Sequence, residues 1–392
     1  MYYTLPKDVE NILEKFKSAG FQIYIVGGAV RDLLMNKQVM DWDFTTDANP
    51  EEILKVTPEG FYDNKFGTVG LKVGEQIFEI TTMRKEGVYK DFRHPKEVFW
   101  TNIIEEDLAR RDFSVNAIAL SEDKIVDPFN GKDDIKNKII RAVGNPSLRF
   151  QEDALRLMRA IRIATQLIFK IEDTTKNAIV QNVTLIKKIA YERVRDELFK
   201  ILSSDNCYQG IILLREVELL QIILPELERC FGIIQEGPKH NRVYDIGKHS
   251  FLTLKHTPSL DPLVRLAALL HDIGKPDTFK TSDNGNVTFY NHETVGGRII
   301  LEIAKRFNLS KKQTEKIYKL VRWHMFTVDE RQTDSAIRRF IKNVGIENIG
   351  DMMALRIGDR LGGGTPTETS WRIEKFKERI KQVLQKPFSI SD

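Results

Sequence analysis

The stretch that most constrains the fold is a short apolar run at residues 22–26, followed at once by the glycine pair Gly27 and Gly28. The run predicts a strand, and the glycines predict a turn where the backbone can come close to a ligand. Residues 29–35 predict the first turns of a helix, whose free N–H groups would point back at the turn as an anion site. Arg31 would add a cation beside it.

Two aspartates follow on a second predicted strand, residues 41–45. Because strand side chains alternate with period two, Asp41 and Asp43 are expected on one face and Trp42 on the other. Two carboxylates on one face repel each other unless a cation lies between them, and Mg²⁺ takes carboxylates together with substrate phosphates. Glu79, on a later predicted strand, is expected to complete the site. Each feature alone also fits an ordinary turn or a solvated strand edge, but together they describe a nucleoside triphosphate held against a metal ion.

Composition narrows the class of protein. With 392 residues, 41% hydrophobic and 30% charged, the chain fits two to four globular domains. No apolar run approaches the roughly 20 residues of a membrane span, and the first residues lack the features of a signal peptide. Cys207 and Cys230 have no metal-type spacing, so thiols in a reducing cytoplasm are expected. Basic residues outnumber acids between positions 305 and 342, which predicts either a phosphate-tracking stripe or a solvated helix face.

The pattern of elements changes near residue 145. Before it, strands and helices alternate: residues 68–73 and 76–83 predict a hairpin about Gly74, and residues 114–120 predict a further strand. Beyond Pro146 the apolar period becomes 3.6, which predicts helices at residues 149–167, 183–202 and 209–220. The expected fold class is therefore α+β, a mixed β-sheet with helices followed by an all-α body.

Two charged segments lie beside the predicted strands. Residues 84–95 carry many charges and few apolar anchors, which is typical of a mobile loop near a site or of an ordinary surface connection. Arg110 and Arg111 offer the planar fork that suits phosphate, and Asp112 offers an acceptor for ribose hydroxyls. A salt-bridged helix end is the alternative for this second segment.

A third charged group, Glu152, Asp153 and Arg156, falls on the first predicted body helix. Asp153 and Arg156 are three apart and would share a face. An acceptor beside a donor resembles the edge of a base, and side chains of these types read bases. Spacing alone favours an ion pair worth about 0.2–0.5 kcal/mol. Arg159 and Arg162 follow and would hold phosphates or the next helix.

The last cluster is typical of a metal site, since imidazole and carboxylate are common ligands of divalent transition metals. An apolar run at residues 263–270 would bury its central His-Asp pair at a helix end. The candidate ligands are His249, His271, Asp272, His292, His324 and Asp359.

In their order, these motifs resemble those of the class II tRNA nucleotidyltransferases, the family of bacterial CCA-adding enzymes and poly(A) polymerases. The second half is similar to an HD domain. The resemblance implies a polymerase-beta-type nucleotidyltransferase head at 1–145, a helical neck that selects the nucleotide and binds RNA at 146–245, an HD-type helical body at 246–370, and at 371–392 the start of a tail that is cut short. The motifs are Gly27-Gly28-x-Val30-Arg31-Asp32, Asp41-x-Asp43, Arg110-Arg111-Asp112, Asp127-Pro128-Phe129-x-Gly131 and Glu152-Asp153-x-x-Arg156.

The resemblance also implies an activity: addition of C, C and A from CTP and ATP to the 3′ end of tRNA, without a template and with release of pyrophosphate. Asp41 and Asp43 would hold two Mg²⁺ ions. The implied nucleotide-binding residues are Gly27, Gly28, Arg31, Arg111, Asp112, Asn116, Asp153, Arg156, Arg159 and Arg162. Residues of the implied flexible loop, which would switch selection from C to A, are Arg84, Glu86, Tyr89, Asp91 and Arg93.

Three functions compete with CCA addition. A poly(A) polymerase of the same family would add A without stopping, and an HD-domain phosphohydrolase acting on RNA ends would use a divalent metal at the histidine cluster. An HD fold without turnover is equally open. A non-catalytic RNA-binding protein is disfavoured, since it has no need of paired acids beside an anionic ligand. The expected partners are tRNA, CTP and ATP, with no membrane and no obligate protein partner.

Overall fold

The computed structural model describes residues 4–62, 67–87, 97–122, 124–235, 244–281, 287–329 and 331–385. The chain divides into two compact units, Met1–Ile189 and Ala190–Asp392. Within the described ranges, none of the helices combines the length and the apolar composition that crossing a membrane requires.

The first unit is built on a seven-stranded sheet with the order β3-β4-β5-β2-β1-β8-β9. Strands β2 and β5 run parallel, and the other neighbours in the sheet are antiparallel. Two further pairs, β6 with β7 and β10 with β11, lie outside it. In chain order the strands are β1 Ile23–Val26, β2 Asp43–Thr46, β3 Phe61–Tyr62, β4 Thr68–Val73, β5 Gln76–Thr82, β6 Arg84–Glu86, β7 Val98–Trp100, β8 Ala119–Leu120, β9 Ile125–Val126, β10 Ile139–Ile140 and β11 Lys170–Ile171.

Three helices of the first unit, α3, α6 and α8, start at a side-chain cap. At α3, Asn49 accepts from the N–H of Glu52 while Glu52 accepts from the N–H of Asn49, a complete capping box. The helices are α1 Lys7–Ser18, α2 Gly28–Leu34, α3 Pro50–Val56, α4 Ile104–Ala109, α5 Gly131–Asn137, α6 Pro146–Glu152, α7 Arg156–Leu167 and α8 Asp173–Asn182, with 3-10 helices at Ser114–Asn116 and Val183–Lys188.

The two faces of the sheet have different cores. Phe44 and Phe78 are fully buried on one face, where their rings lie 6.2 Å apart within the larger cluster. Val26 packs on the other face with Met83 and with Leu108 of α4. This second face also carries the polar end of β2, so α4 and the strand ends together frame the candidate site.

The described part of the second unit is helical, apart from two short strand pairs. Cys207 and Cys230 are buried and free, as expected from the sequence. Its elements are α9 Tyr191–Leu202, α10 Cys207–Glu216, α11 Leu220–Ile223, α12 Pro225–Glu228, β12 Ile234–Gln235, β13 Tyr244–Asp245, α13 Ile246–His256, α14 Pro262–Leu270, α15 Lys275–Thr278, β14 Lys280–Thr281, β15 Val287–Thr288, α16 His292–Arg306, α17 Lys311–Trp323, α18 Asp334–Val344, a 3-10 helix Ile346–Asn348, α19 Ile349–Gly362 and α20 Trp371–Gln385.

The predicted hairpin is confirmed: β4 and β5 pair antiparallel, with Gly74 at φ +62° in the turn. The single helix predicted at 149–167 is wrong, because α6 ends at Glu152 and α7 begins at Arg156. Asp153 has extended backbone (φ −133°), and its Oδ1 accepts the N–H of Leu155 at 3.0 Å. The side chain thus replaces the helical hydrogen bond and ends the helix.

Three other predicted elements are shorter than expected. The strand predicted at 114–120 begins only at Ala119, because the N–H of Asn116 donates to the carbonyl of Phe113 and forms a 3-10 turn. The helix predicted at 183–202 begins only at Tyr191, after a 3-10 segment. The helix predicted at 209–220 ends at Glu216.

Candidate active site

Gly27 lies at the centre of the site, between β1 and α2. Its φ of +72° favours glycine over residues with a side chain. A Cβ atom at this position would lie 3.2 Å from Nη1 of Arg111 and 3.4 Å from Oδ2 of Asp43. The missing side chain therefore lets the turn touch a carboxylate and a guanidinium at once.

The carboxylates lie at one end of the sheet. Asp43 is in register with Glu79 on the parallel neighbour β5, so the two side chains project from the same face. Asp41 precedes β2 and is exposed, while Trp42 is buried as the predicted alternation requires. Among the described residues, Asp41, Asp43 and Glu79 do not form a triplet with ligand atoms all within 4.8 Å.

The charge balance at Asp43 indicates a cation site. Burial raises the pKa of Asp43, the positive charge of Arg111 lowers it, and the negative charge of Asp41 raises it again. Because the charge of Asp41 makes the carboxyl group of Asp43 harder to ionise, a cation beside Asp43 would stabilise its ionised form. The donor set of this site, carboxylate oxygens beside a polar turn, fits a hard divalent ion such as Mg²⁺.

A chain of hydrogen bonds links α2 to α7. Arg31 pairs with Asp32 at 2.8 Å and donates from Nη1 to Oδ1 of Asn116 at 2.8 Å. Asn116 donates from Nδ2 to Oδ1 of Asp112 at 3.3 Å. Nε of Arg159 donates to Oδ2 of Asp112 at 2.7 Å. Four of the predicted nucleotide-binding residues thus form one connected group.

Asp112 is the buried anion of this group. Burial by itself would raise its pKa, but the charges of Arg159 and Arg156 and hydrogen bonds from Arg159 and Asn116 lower the pKa to about 2. The carboxylate is therefore ionised throughout the physiological range and keeps Arg159 in place.

Asp107 is an organising residue that sequence analysis missed. Its side chain in α4 is fully buried, and Oδ1 accepts from Nη2 of Arg110 at 2.9 Å and from the N–H of Arg84 at 3.2 Å. Oδ2 accepts from Nη2 of Arg111 at 3.2 Å. Asp107 thus holds Arg111 beside Gly27. The signal was present, since Asp107 precedes the two arginines by three and four positions, the spacing of helical ion pairs.

The predicted flexible loop is described only at its start, residues 84–87. Arg84 and Glu86 lie in β6, and Oε1 of Glu86 accepts from Nε of Arg84 at 3.1 Å and from Nη1 of Arg110 at 3.3 Å. Tyr89, Asp91 and Arg93 lie outside the described residues. The start of the loop is therefore tied to the arginine pair through Arg110.

Asp153 and Arg156 flank the break between α6 and α7, so the argument that they share one helical face does not hold. Nη1 of Arg156 donates to Oε2 of Glu152 at 2.7 Å, and Nη2 donates to the carbonyl of Arg110 at 2.9 Å. The ion pair formed is thus with Glu152, four positions earlier. Arg162 lies on α7, one turn beyond Arg159.

The motif from Asp127 to Gly131 has a structural role. Oδ1 of Asp127 accepts the N–H of Gly131 at 2.7 Å, and Oδ2 accepts the N–H of Lys132 at 2.9 Å, at the start of α5. A Cβ at Gly131 would lie 2.2 Å from the carbonyl oxygen of Ser114. The glycine therefore lets α5 pack against the segment that leads to Asn116.

In the second unit, the structure brings together all six residues of the predicted histidine cluster. Nε2 of His249 lies 3.2 Å from Nε2 of His271 and 3.2 Å from Oδ1 of Asp359. Nε2 of His292 lies 3.3 Å from Nε2 of His324. Residues from five separate segments thus converge at one buried point.

Asp272 joins the two halves of the cluster through different oxygens. Oδ2 lies 3.2 Å from Nε2 of His271 and 3.5 Å from that of His249. Oδ1 lies 3.3 Å from Nε2 of His292 and 3.7 Å from that of His324. Two triplets result, each with its ligand atoms within 4.8 Å of one another: His249, His271 and Asp272, and Asp272, His292 and His324.

Backbone carbonyls orient three of the imidazoles. His271, His292 and His324 each place Nδ1 against the carbonyl oxygen of the residue three positions earlier, at 2.9, 2.9 and 2.7 Å. Because a carbonyl can only accept, Nδ1 of each ring carries a proton and Nε2 faces the cluster. Burial and the charge of His271 lower the pKa of His324 to about 3, so its ring is neutral. The donor set fits a divalent transition metal.

Comparison with known proteins assigns both sites to recognised domains. Residues 23–141 match the poly A polymerase head domain, residues 168–231 match the "Probable RNA and SrmB- binding site of polymerase A", and residues 246–343 match the HD domain. The first site lies within the head match apart from its residues at the end of α6 and in α7, residues 152–162. Five of the six cluster residues lie within the HD match, and Asp359 lies beyond it.

Individual relatives agree with this assignment. The chain is 47% identical over 192 residues to the CCA-adding enzyme of Lactobacillus helveticus, which is 48% of this chain and 48% of that protein. It is 44% identical over 231 residues to the CCA-adding enzyme of Enterococcus faecalis, 58% and 57% of the two chains. The alignments thus span about half the length of these curated relatives.

A solved structure extends the likeness along the fold. The crystal structure of the Bacillus stearothermophilus CCA-adding enzyme in complex with CTP matches with a TM-score of 0.71 at 26% identity, over 97% of this chain and 83% of that one.

Together, the fold and the site define a nucleotidyltransferase-type head joined to an HD-containing helical body. The chain is similar to the CCA-adding enzymes named above and carries matches to the poly A polymerase head domain and the HD domain.

Proposed function

We propose that this chain is a CCA-adding tRNA nucleotidyltransferase. It would add C, C and A from CTP and ATP to the 3′ end of tRNA, without a nucleic-acid template and with release of pyrophosphate. The observation that carries the proposal is the meeting of Gly27, Asp43 and Arg111, since a missing side chain brings backbone, carboxylate and guanidinium within reach of one triphosphate. The names of the relatives above support the choice of reaction within the family.

The metal ligands in this proposal are Asp41, Asp43 and Glu79. When bound, two Mg²⁺ ions would lower the pKa of the attacking hydroxyl and stabilise the leaving pyrophosphate. The raised pKa of Asp43 supports this assignment, because a bound cation would favour the ionised form of a buried carboxylate that lies beside a second one.

The triphosphate would lie against the Gly27 and Gly28 turn, with the guanidiniums of Arg31 and Arg111 on it. Positive charge that is already in place stabilises the charge developing on the α-phosphate during in-line attack by the RNA 3′-hydroxyl. Asp112 would accept a hydrogen bond from the ribose, and Asn116 would donate one to it. Arg159 and Arg162 would hold phosphates along α7. Arg31 is held by Asp32 and Asn116 before any ligand binds, so its position costs little on binding.

Base selection is assigned to Asp153 and Arg156. Arg156 is anchored by Glu152 and by the carbonyl of Arg110. Nη1 also donates to the carbonyl of Arg149 at 3.2 Å. Of the Arg156 donors in the described part of the chain, Nε and one N–H of Nη2 are then left for the ring acceptors of C or A. Asp153 would accept from the exocyclic amino group that both bases carry. Residues 84–93, the proposed flexible loop, would change this pairing from C to A through the bond between Glu86 and Arg110.

The test is nucleotide incorporation on three tRNAs that end before CCA, after C and after CC, with CTP, ATP or both. Addition that runs C, C, A and then halts is expected. Asp41→Ala with Asp43→Ala should abolish incorporation, and Asp133→Asn, an exposed acid on α5, should not change it. Unlimited addition of A would identify a poly(A) polymerase instead. RNA binding without any incorporation would leave only a binding function.

We also propose a second activity, a divalent-metal phosphohydrolase at the histidine cluster. The specific observation is that Asp272 presents one oxygen to each of two histidine pairs, so each half of the cluster could hold one cation. Hydrolysis of bis(p-nitrophenyl) phosphate with added Mn²⁺ is expected in the Asp41→Ala, Asp43→Ala variant. His271→Ala should abolish this hydrolysis and keep CCA addition. Hydrolysis that survives His271→Ala would refute the assignment.

The cytoplasmic location, the tRNA, CTP and ATP partners, and the domain limits at residues 145, 245 and 370 stay predictions of the sequence.

A further inference from the structure

Helices α13 and α19 contact each other through two glycines one turn apart. A Cβ at Gly358 would lie 2.1 Å from Oγ1 of Thr257 and 2.6 Å from the backbone oxygen of Thr253. A Cβ at Gly362 would lie 2.7 Å from the backbone nitrogen of Thr253. Backbone atoms cannot rotate away as a side chain can. A larger residue at either position therefore forces the two helices apart.

The same contact brings two cluster residues together. Asp359 directly follows Gly358 on α19, and His249 lies one turn before Thr253 on α13. Oδ1 of Asp359 is 3.2 Å from Nε2 of His249 and 3.7 Å from Nε2 of His271. The carboxylate thus reaches the triplet of His249, His271 and Asp272 from the side of α19.

Asp359 depends on its backbone for this position. An aspartate side chain has only two rotatable bonds, so it cannot make up for a displaced helix by extending. Its second oxygen is 3.4 Å from Nη1 of Arg356, which stands three positions earlier on α19 and moves with it. Nothing on α19 itself would therefore keep Asp359 at His249 once the helices had separated.

We propose that Gly358 and Gly362 are positioning residues of the histidine cluster. By letting α19 approach α13 this closely, they place Asp359, one of the candidate ligands, at the His249 half of the cluster. Alanine is the better helix former, so a glycine here serves the contact and not the helix. This inference rests on the proposed metal binding of the cluster.

Mn²⁺ titrated calorimetrically into the full chain tests the inference. The parent protein carries Asp41→Ala and Asp43→Ala, so that the isotherm reports the cluster alone. Gly358→Ala should weaken Mn²⁺ binding by about tenfold to a hundredfold, the usual effect of displacing a group that supports a metal site. Gly350→Ala is the matched control on the same helix, because its Cβ would meet no atom within 4 Å. This control should leave the affinity unchanged.

A double-mutant cycle separates positioning from general damage. Asp359→Asn should also weaken Mn²⁺ binding, and adding Gly358→Ala to it should cost less than about twofold more, because both changes remove the same ligand. If the two losses of Mn²⁺ affinity multiply in the double variant, the inference is overturned. If circular dichroism finds Gly358→Ala unfolded, Gly362→Ala provides the same cycle, since its nearest atom is farther away.

The possible failures are distinct. A parent protein that binds no Mn²⁺ would refute both the metal site and the inference. A parent that binds Mn²⁺, with Gly358→Ala binding equally well, would refute the inference alone.

Discussion

Replacing Asp112 by asparagine should destabilise the first unit by about 2–3 kcal/mol at pH 7. The pKa of Asp112 falls from an ordinary 3.8 to about 2 on folding, and each pKa unit corresponds to about 1.4 kcal/mol. Removing one partner of a buried ion pair costs about 3–5 kcal/mol. Since the Arg159 side chain is 34% exposed and water can solvate it, the lower end of that range applies. The estimate from the pKa shift and the estimate from the broken ion pair therefore agree on about 2–3 kcal/mol.

The pH dependence supplies an internal check. A carboxylate whose folded pKa is lowered stabilises the fold fully above its unfolded pKa, near 4, and the stabilisation is lost as the pH falls toward the folded value of about 2. The difference in unfolding free energy between the two proteins should thus be constant from pH 7 to about 5 and shrink below 4. In the neutral range, asparagine would also turn an NH₂ donor toward the guanidinium of Arg159.

Urea unfolding followed by tryptophan fluorescence provides the measurement. Trp323→Phe and Trp371→Phe in all variants leave Trp42 and Trp100, so the signal comes from the first unit. Asp133→Asn, at an exposed position of α5, should change the midpoint little. A loss below about 1 kcal/mol for Asp112→Asn, or a loss that does not depend on pH, would refute the reasoning.

Three other predictions concern activity. Gly27→Ala should lower nucleotide incorporation at least tenfold, because a methyl group would press on Arg111. The control Gly20→Ala has a similar positive φ, but its Cβ would meet no atom within 4 Å, so it should lower stability alone. Equal activities of the two variants would contradict this prediction. Removing divalent metal with EDTA should abolish incorporation and added Mg²⁺ should restore it, and activity that persists in EDTA would exclude a metal-dependent head. Charge reversal at Arg338 and Arg339 should raise KM for tRNA and reduce the salt dependence of binding, and an unchanged salt slope would show that this surface does not touch RNA.

The basic segment at residues 305–342 shows what composition alone leaves undecided. In the structure, Arg306 pairs with Glu226, and Lys316 pairs with both Asp261 and Asp351. These acids lie outside the segment, so the excess of basic residues along the chain overstates the positive charge of the surface.

Local sequence determined the elements on which both sites are built. The hairpin of β4 and β5, the capped start of α3 and the alternation around Trp42 depend on turn chemistry, capping and period-two burial, which act over a few residues. The candidate site residues could also be listed from the sequence, because the chemistry of a glycine, an aspartate or a histidine does not depend on the fold.

Tertiary structure decided how those residues are used. The arginine pair beside the turn depends on Asp107, and Arg156 pairs with Glu152 because Asp153 ends a helix that periodicity predicts to continue. Asp359 belongs to the histidine cluster because two glycines let α19 approach α13. Sequence spacing describes neighbours along one helix or strand. Two helices can share a ligand only if they lie close together. The distance between them depends on contacts between residues far apart in the chain, and the sequence of either helix alone does not determine it.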